Sequence, residues 1–136
     1  MFSYYDEINK LFYITNKGSN FISIFYFSES GETADGLPQL VPLLPYKTKD
    51  LTTYMYFLPK HHINPVTKEI QRAVRTTNKR AEFVSFKLPR KEAGFSLDLY
   101  PGFHSKTAAM SCEQYVKGEN QNPIMDMWNP RELDLQ

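Results

Sequence analysis

The fold is decided by residues 11–27, which read LFYITNKGSNFISIFYF. Two runs of aromatic and β-branched residues, 11–15 and 21–27, flank a polar segment that contains Gly18. Such residues favour a pleated, half-buried surface, and a glycine-containing connection of about five residues is typical of a hairpin. Because almost every position of both runs is apolar, we expect a sheet that is covered on both faces.

Further strand-like runs follow this hairpin. Residues 52–57 end before Pro59, while 69–75 and 82–88 flank a polar turn and predict a second hairpin. Pro42 limits residues 40–44 to an edge or bent strand, and 124–128 read as a last strand. Six or seven short strands at these spacings predict a meandering antiparallel sheet, as in sandwiches, barrels or propeller blades.

One short helix is predicted near the C-terminal end. Ser111 and Gln114 match a capping box, in which each side chain accepts a hydrogen bond from the other residue's backbone amide. Gly118 follows at the place where a helix of two turns needs a left-handed residue.

Composition limits the class of protein. The chain has 136 residues, enough for one small domain, and its nine prolines argue against long helices. Cys112 is the single cysteine, so no internal disulfide can form. We find no signal peptide at the start, and no apolar run approaches the roughly 18 residues that span a bilayer. We therefore expect a soluble cytosolic protein.

A series of short motifs, in order along the chain, resembles the coronin family. Their spacing is nearly that of the family from about residue 2 to residue 128. The motifs are Tyr4-Tyr5-Asp6 with residues 11–27, Met55-Tyr56-Phe57-Leu58-Pro59-Lys60, Lys68-Glu69-Ile70, residues 84–91 (VSFKLPRK), Asp98-Leu99-Tyr100-Pro101, and residues 111–118 followed by Asn122-Pro123-Ile124.

The resemblance implies a mainly β fold. It implies antiparallel blades, about the last two of a seven-bladed WD40 β-propeller, over residues 1–91, and a C-terminal extension with one short helix over residues 92–136. It also implies a non-enzymatic, actin-binding regulator of the cytoskeleton. Because a closed propeller needs four or more blades of about 40–45 residues, we expect this chain to self-associate through exposed blade edges.

A basic stretch is the one functional signal in the residues themselves. Residues 68–91 hold eight basic and two acidic side chains, although the net charge of the whole chain is +1. The stretch is either a solvated face of the second hairpin or a surface for a polyanion. Filamentous actin is the expected partner, and other cytoskeletal proteins or an anionic lipid are alternatives. Nucleic acid is not expected, because the nearby aromatic residues occupy strand positions. The candidate residues are Lys68, Arg72, Arg75, Lys79, Arg80, Arg90 and Lys91.

Metal binding and catalysis have weaker support in the sequence. His61 and His62 are adjacent and lack a neighbouring Cys or carboxylate at zinc spacing, so we interpret them as part of a surface connection. Cys112, with His104 eight residues earlier, is better interpreted as a helix-start residue than as a nucleophile. The spacing of Asp98 and Glu113 does not favour an acid–base pair. We expect no cofactor and no metal.

Overall fold

Two antiparallel sheets dominate the computed structural model, which describes residues 1–30, 34–89 and 99–129. The N-terminal sheet is a meander of β1 (Phe2–Asp6), β2 (Leu11–Thr15), β3 (Phe21–Ser28) and β4 (Gln39–Pro42), and β5 (Tyr46–Lys47) also pairs with β3. The central sheet consists of β6 (Tyr54–Phe57), β7 (Glu69–Thr76) and β8 (Ala81–Lys87). Both predicted hairpins are therefore confirmed.

Local turn chemistry explains where the strands of the N-terminal sheet end. The Asp6 carboxylate accepts hydrogen bonds from the backbone amides of Ile8 and Asn9, which closes the turn between β1 and β2. Gly18 adopts a φ of 82° in the turn between β2 and β3, a conformation that glycine reaches without a steric penalty. Pro42 ends β4, which lies at the edge of the meander as its proline requires.

The hydrophobic core lies between the two sheets. Alternate residues of β2 point toward the central sheet, and the ring of Tyr13 is fully buried there against Phe57 and Phe86. Tyr4 of β1 stacks on Phe57 at a centroid distance of 4.9 Å. These ring contacts join the sheets face to face, as neighbouring apolar sheets must to remove their surfaces from water.

A buried ion pair also joins the sheets. The ammonium of Lys60 donates to the Asp6 carboxylate at 2.5 Å, and it also donates to Asn9 and to the backbone carbonyl of Ile70. Burial lowers the pKa of Lys60, while the charge and hydrogen bond of Asp6 raise it. Lys60 begins a short 3₁₀ helix, Lys60–His62, in the connection that leads from β6 to β7.

The described C-terminal residues, 99–129, pack on the far end of the central sheet. They contain the ribbon β9 (Phe103–His104) with β10 (Met125–Asp126), and the helix α1 (Cys112–Val116). Leu99 and Tyr100 form a second small core with Ile63, and the Tyr100 hydroxyl donates to the carbonyl of Glu69. The division at residues 91 and 92 stays a prediction.

The helix is as predicted, whereas several strands differ. Both hydrogen bonds of the capping box between Ser111 and Gln114 are present, and Gly118 has a φ of 83°. The described residues hold ten strands instead of six or seven, because β1, β5 and β9 lacked a strong apolar pattern. The last strand spans two residues rather than 124–128, because its partner β9 offers only two positions.

Candidate polyanion-binding surface

Arg75, at the centre of the predicted basic stretch, is a buried structural residue. Its side chain points into the space between the sheets, and 1% of the residue is exposed. The guanidinium donates to the Glu82 carboxylate on β8, to the Asp50 carbonyl at 2.7 Å and to the Thr52 hydroxyl at 3.2 Å. Arg75 therefore ties the segment after β5 to the central sheet and cannot contact a macromolecular partner.

Lys68 and Arg72 also have structural roles. Lys68 is buried at the end of the 3₁₀ helix Pro65–Thr67, where it takes a left-handed φ of 57°. The Arg72 guanidinium donates two hydrogen bonds to the Glu69 carboxylate, at 2.8 and 2.6 Å. Since Glu69 is completely buried, this pair compensates a charge in the interior, and the Arg72 side chain is only 33% exposed.

Glu69 has a lowered pKa for a definite reason. Burial on its own raises the pKa of this carboxyl, but hydrogen bonds from Arg72 and the Asn64 amide, together with the Arg72 charge, outweigh that effect. The pKa of Arg72 is raised in turn, chiefly by its hydrogen bond to Glu69. The pair is a structural brace at the start of β7.

Lys79 and Arg80 are exposed at the tip of the second hairpin. The Thr77 hydroxyl accepts from both of their backbone amides and so fixes the turn. The Lys79 side chain is 77% exposed, and its ammonium lies 3.6 Å from Asp50. Arg80 donates to Glu82 at 2.8 Å and lies 3.4 Å from Asp50. Solvent-exposed pairs of this kind are worth little, so both cations remain able to bind another anion.

Two lysines outside the predicted stretch join them. Lys47 and Lys49 are exposed and line a depression of about 300 Å³ together with Arg75, Arg80 and Glu82. We name the exposed cations Lys47, Lys49, Lys79 and Arg80 the basic hairpin surface. Sequence reasoning missed Lys47 and Lys49 because they precede the predicted stretch, on β5 and in the segment after it. Only the packing of that segment against the central sheet brings them near Arg80.

Few carboxylates oppose these charges. Hydrogen bonds from Arg75 and Arg80 lower the pKa of Glu82, so this residue is ionised at neutral pH. The pKa of Arg80 is raised by its hydrogen bond to Glu82 and by the charges of Glu82 and Asp50. Counting Arg75, five cations meet Asp50 and Glu82, which leaves an excess of positive charge around the depression.

The remaining sequence candidates lie elsewhere. Arg90, Lys91 and Asp98 fall outside the described residues. The ring centroids of His61 and His62 lie 4.1 Å apart, with the rings tilted by 45°. The pKa of His61 is lowered by burial, then by the charges of His62 and Lys106. Cys112 is the exposed first residue of α1.

Metal and membrane features were searched over the same part of the chain. No group of three or more His, Cys, Asp or Glu that could hold a metal ion occurs within residues 1–30, 34–89 and 99–129. Among those residues, too, no helix has the length and apolar character needed to cross a membrane.

Comparison with known proteins agrees with this architecture. A family model described as a type of WD40 repeat matches residues 81–123. Coronin-A of Dictyostelium discoideum is 32% identical over 120 residues, which cover 88% of this chain and 26% of that protein. The WD40 domain of Toxoplasma gondii coronin superposes with a TM-score of 0.82 at 25% identity, over 95% of this chain and 32% of that one. The chain belongs to the coronin family.

Two fungal relatives extend the match. A coronin-like protein of Saccharomyces cerevisiae and coronin-like protein crn1 of Schizosaccharomyces pombe are each 27% identical, over 90% and 91% of this chain. The coronin-family chain described here spans about a quarter or less of the length of these curated relatives. Its two main sheets are blades of a WD40 β-propeller, as the sequence motifs predicted.

Proposed function

We propose that this chain is a non-enzymatic, actin-binding part of a cytoskeletal regulator that works in the cytoplasm. The observation that carries the proposal is the coronin relationship, which extends over nearly nine-tenths of the chain. Filamentous actin is strongly acidic, and a positive surface raises the association rate with such a partner and fixes its register.

The basic hairpin surface is the contact that we propose for the filament. It is accessible, it carries excess positive charge, and two of its residues, Lys79 and Arg80, lie in a turn that the Thr77 hydroxyl fixes. Of the sequence candidates that the structure describes, Lys79 and Arg80 belong to this surface, and Lys47 and Lys49 are added to them. Arg90 and Lys91 lie outside the described residues and stay predictions. Lys68, Arg72 and Arg75 support the fold instead, because their side chains are buried or paired with Glu69 and Glu82.

Co-sedimentation with actin filaments at low ionic strength tests the proposal. Two double variants remove the charge from either side of the depression: Lys47→Glu with Lys49→Glu, and Lys79→Glu with Arg80→Glu. We expect each to weaken binding about tenfold or more, equivalent to about 1.4 kcal/mol. The matched control, Lys106→Glu with Lys117→Glu, reverses two exposed lysines of the C-terminal part and should bind like the unmodified chain.

Two results would contradict the proposal at different levels. Equal sedimentation of all variants would show that the filament contact lies elsewhere on the chain. A failure of the unmodified chain to sediment would remove actin binding from this segment. Thermal unfolding by circular dichroism checks that each variant is folded.

An anionic membrane is the second candidate partner. A cluster of Lys and Arg around a depression of about 300 Å³ suits a phosphorylated lipid headgroup. Flotation with vesicles that contain phosphatidylinositol bisphosphate, compared with phosphatidylcholine vesicles, separates this scaffold function from filament binding.

A further inference from the structure

Asp50 lies beside the two exposed cations of the second hairpin. Its carboxylate is 3.6 Å from the Lys79 ammonium and 3.4 Å from the Arg80 guanidinium, and its side chain is 26% exposed. A carboxylate is also the group that an acidic protein partner would bring to these two cations. Asp50 therefore occupies, from within the chain, the place of a partner's acidic side chain.

The backbone around Asp50 is tied to both sheets. The Asp50 carbonyl accepts from the buried Arg75 guanidinium at 2.7 Å and from the Thr48 hydroxyl at 3.0 Å. Two residues further on, the amide and the carbonyl of Thr52 form hydrogen bonds of 2.8 and 2.7 Å with the turn between β2 and β3. The backbone that carries the Asp50 carboxylate therefore keeps its place whether or not the two cations remain paired with it.

The pairs that Asp50 makes are weak, but its charge stays close to any incoming anion. The side chains of Lys79 and Arg80 are 77% and 56% exposed, so they can turn away from Asp50 at little cost. Asp50 cannot leave with them, because its backbone is fixed. An anion on these cations would lie within a Debye length of the Asp50 carboxylate, which is about 8–10 Å, and would be repelled by it.

Glu82, the other carboxylate at the depression, has a structural role instead. It accepts hydrogen bonds from the buried guanidinium of Arg75, so replacing it would leave that cation without its partner. Arg75 binds Asp50 through the backbone carbonyl, whereas the Asp50 side chain pairs with exposed cations. The charge of Asp50 can thus be removed without breaking a buried ion pair.

Asp50 and its two cations lie at one end of the sheets rather than on their faces. Asp50 belongs to the connection that leads to β6, and the cations belong to the turn between β7 and β8. Thr53 and Thr76 join the two segments at their base, through a backbone hydrogen bond of 2.8 Å and another between their hydroxyls. Blades of a propeller pack on one another through their faces, so blade packing does not bury this end.

We propose that Asp50 is an intramolecular competitor that limits how tightly the basic hairpin surface binds an acidic protein segment. The inference rests on the proposed function, because it takes that surface as the binding site. A partner's carboxylates take over Lys79 and Arg80, while Asp50 remains beside them and repels the partner. Asp50 therefore lowers the affinity of a surface that the other cations raise.

Fluorescence anisotropy with a labelled oligoglutamate peptide at low ionic strength tests this role. We expect Asp50→Asn to bind the peptide about three- to tenfold more tightly, because it removes one negative charge and keeps the shape of the side chain. Asp50→Glu keeps the charge and should bind like the unmodified chain. Added salt should reduce the gain of Asp50→Asn, since salt screens charges that are exposed to solvent.

The matched control is Glu113→Gln. It removes one negative charge from the exposed pair that Glu113 of α1 makes with Lys117, away from the basic hairpin surface. Its affinity for the peptide should equal that of the unmodified chain, which separates the local effect of Asp50 from a change in net charge. Thermal unfolding by circular dichroism checks that each variant is folded.

Co-sedimentation of the same variants with actin filaments separates this inference from the proposed function. Tighter binding of Asp50→Asn to both the peptide and the filament would support both. A tighter peptide complex, with no variant sedimenting with filaments, would remove the filament as partner and still support the role of Asp50.

Three peptide results would overturn that role. Equal affinity of Asp50→Asn and the unmodified chain would show that Asp50 does not limit binding. Absence of peptide binding by both proteins would show that the surface does not take an acidic segment. Weaker binding by Asp50→Asn would show that Asp50 instead holds Lys79 and Arg80 in position for the partner.

Discussion

At the scale of single residues, buried charges decide how the two sheets are joined. Lys60 reaches from the central connection to Asp6 at the end of β1, and both side chains are removed from water. Replacing one member of such a pair leaves the other charge buried without a partner, whereas replacing both leaves no unpaired charge in the interior.

Lys60→Met should lower the free energy of unfolding by about 3–5 kcal/mol, because it leaves the buried Asp6 carboxylate without a cationic partner. The double variant Lys60→Met with Asp6→Asn should lose clearly less. Urea unfolding of the unmodified chain and the three variants, including Asp6→Asn alone, measures the coupling. Additive losses in this cycle would show that the two residues act independently.

At the scale of elements, the second hairpin and the helix are stabilised in different ways. The hairpin is anchored by Arg75, whose guanidinium binds β8 and the segment after β5 at once. The helix α1 is five residues long and exposed, and isolated helices of that length are marginal. We therefore expect its capping box to stabilise the helix locally and to contribute little to the stability of the whole chain.

Ser111→Ala should destabilise α1 locally, by about 1 kcal/mol, because the Gln114 amide loses its acceptor. We expect faster amide hydrogen exchange at Gln114 and an unchanged urea midpoint for the whole chain. Ser111→Asp retains an acceptor and should restore slow exchange. A shift in the global midpoint by Ser111→Ala would mean that the helix supports the core.

At the scale of the whole molecule, Glu69 connects three parts of the chain. Its carboxylate accepts from Arg72 and from the Asn64 amide, and its carbonyl accepts from Tyr100 in the C-terminal part. Burial raises the pKa of Tyr100 to about 12, so its hydroxyl stays a donor throughout the physiological range. Protonation of Glu69 would weaken this junction.

Stability should therefore fall in acid. The pKa of Glu69 is lower in the folded chain than its ordinary value of 4.5. The stabilisation it provides is complete above that value and is lost as the pH falls through the folded pKa. Urea unfolding at pH 3 to 7 should show this loss, and Glu69→Gln should flatten the profile over the same interval. Parallel profiles for the two proteins would assign the acid loss to other carboxylates.

Local chemistry made much of the fold predictable from sequence. The apolar runs at 11–15 and 21–27, the capping box at Ser111 and the left-handed Gly118 depend on neighbours within a few residues. The same holds for the coronin motifs, whose order and spacing identified the family. These features appear in the structure where the sequence placed them.

The candidate site depended on long-range packing, which sequence order does not reveal. Eight basic residues between 68 and 91 appeared as one surface, but strand alternation sends Arg75 inward and Arg72 outward. Lys47 on β5 and Lys49 in the segment that follows it reach the same depression only after that segment packs on the central sheet. Thus the sequence alone determined the blades and their family. The tertiary structure decided which cations face solvent and which are buried, because that depends on what each face of a strand packs against.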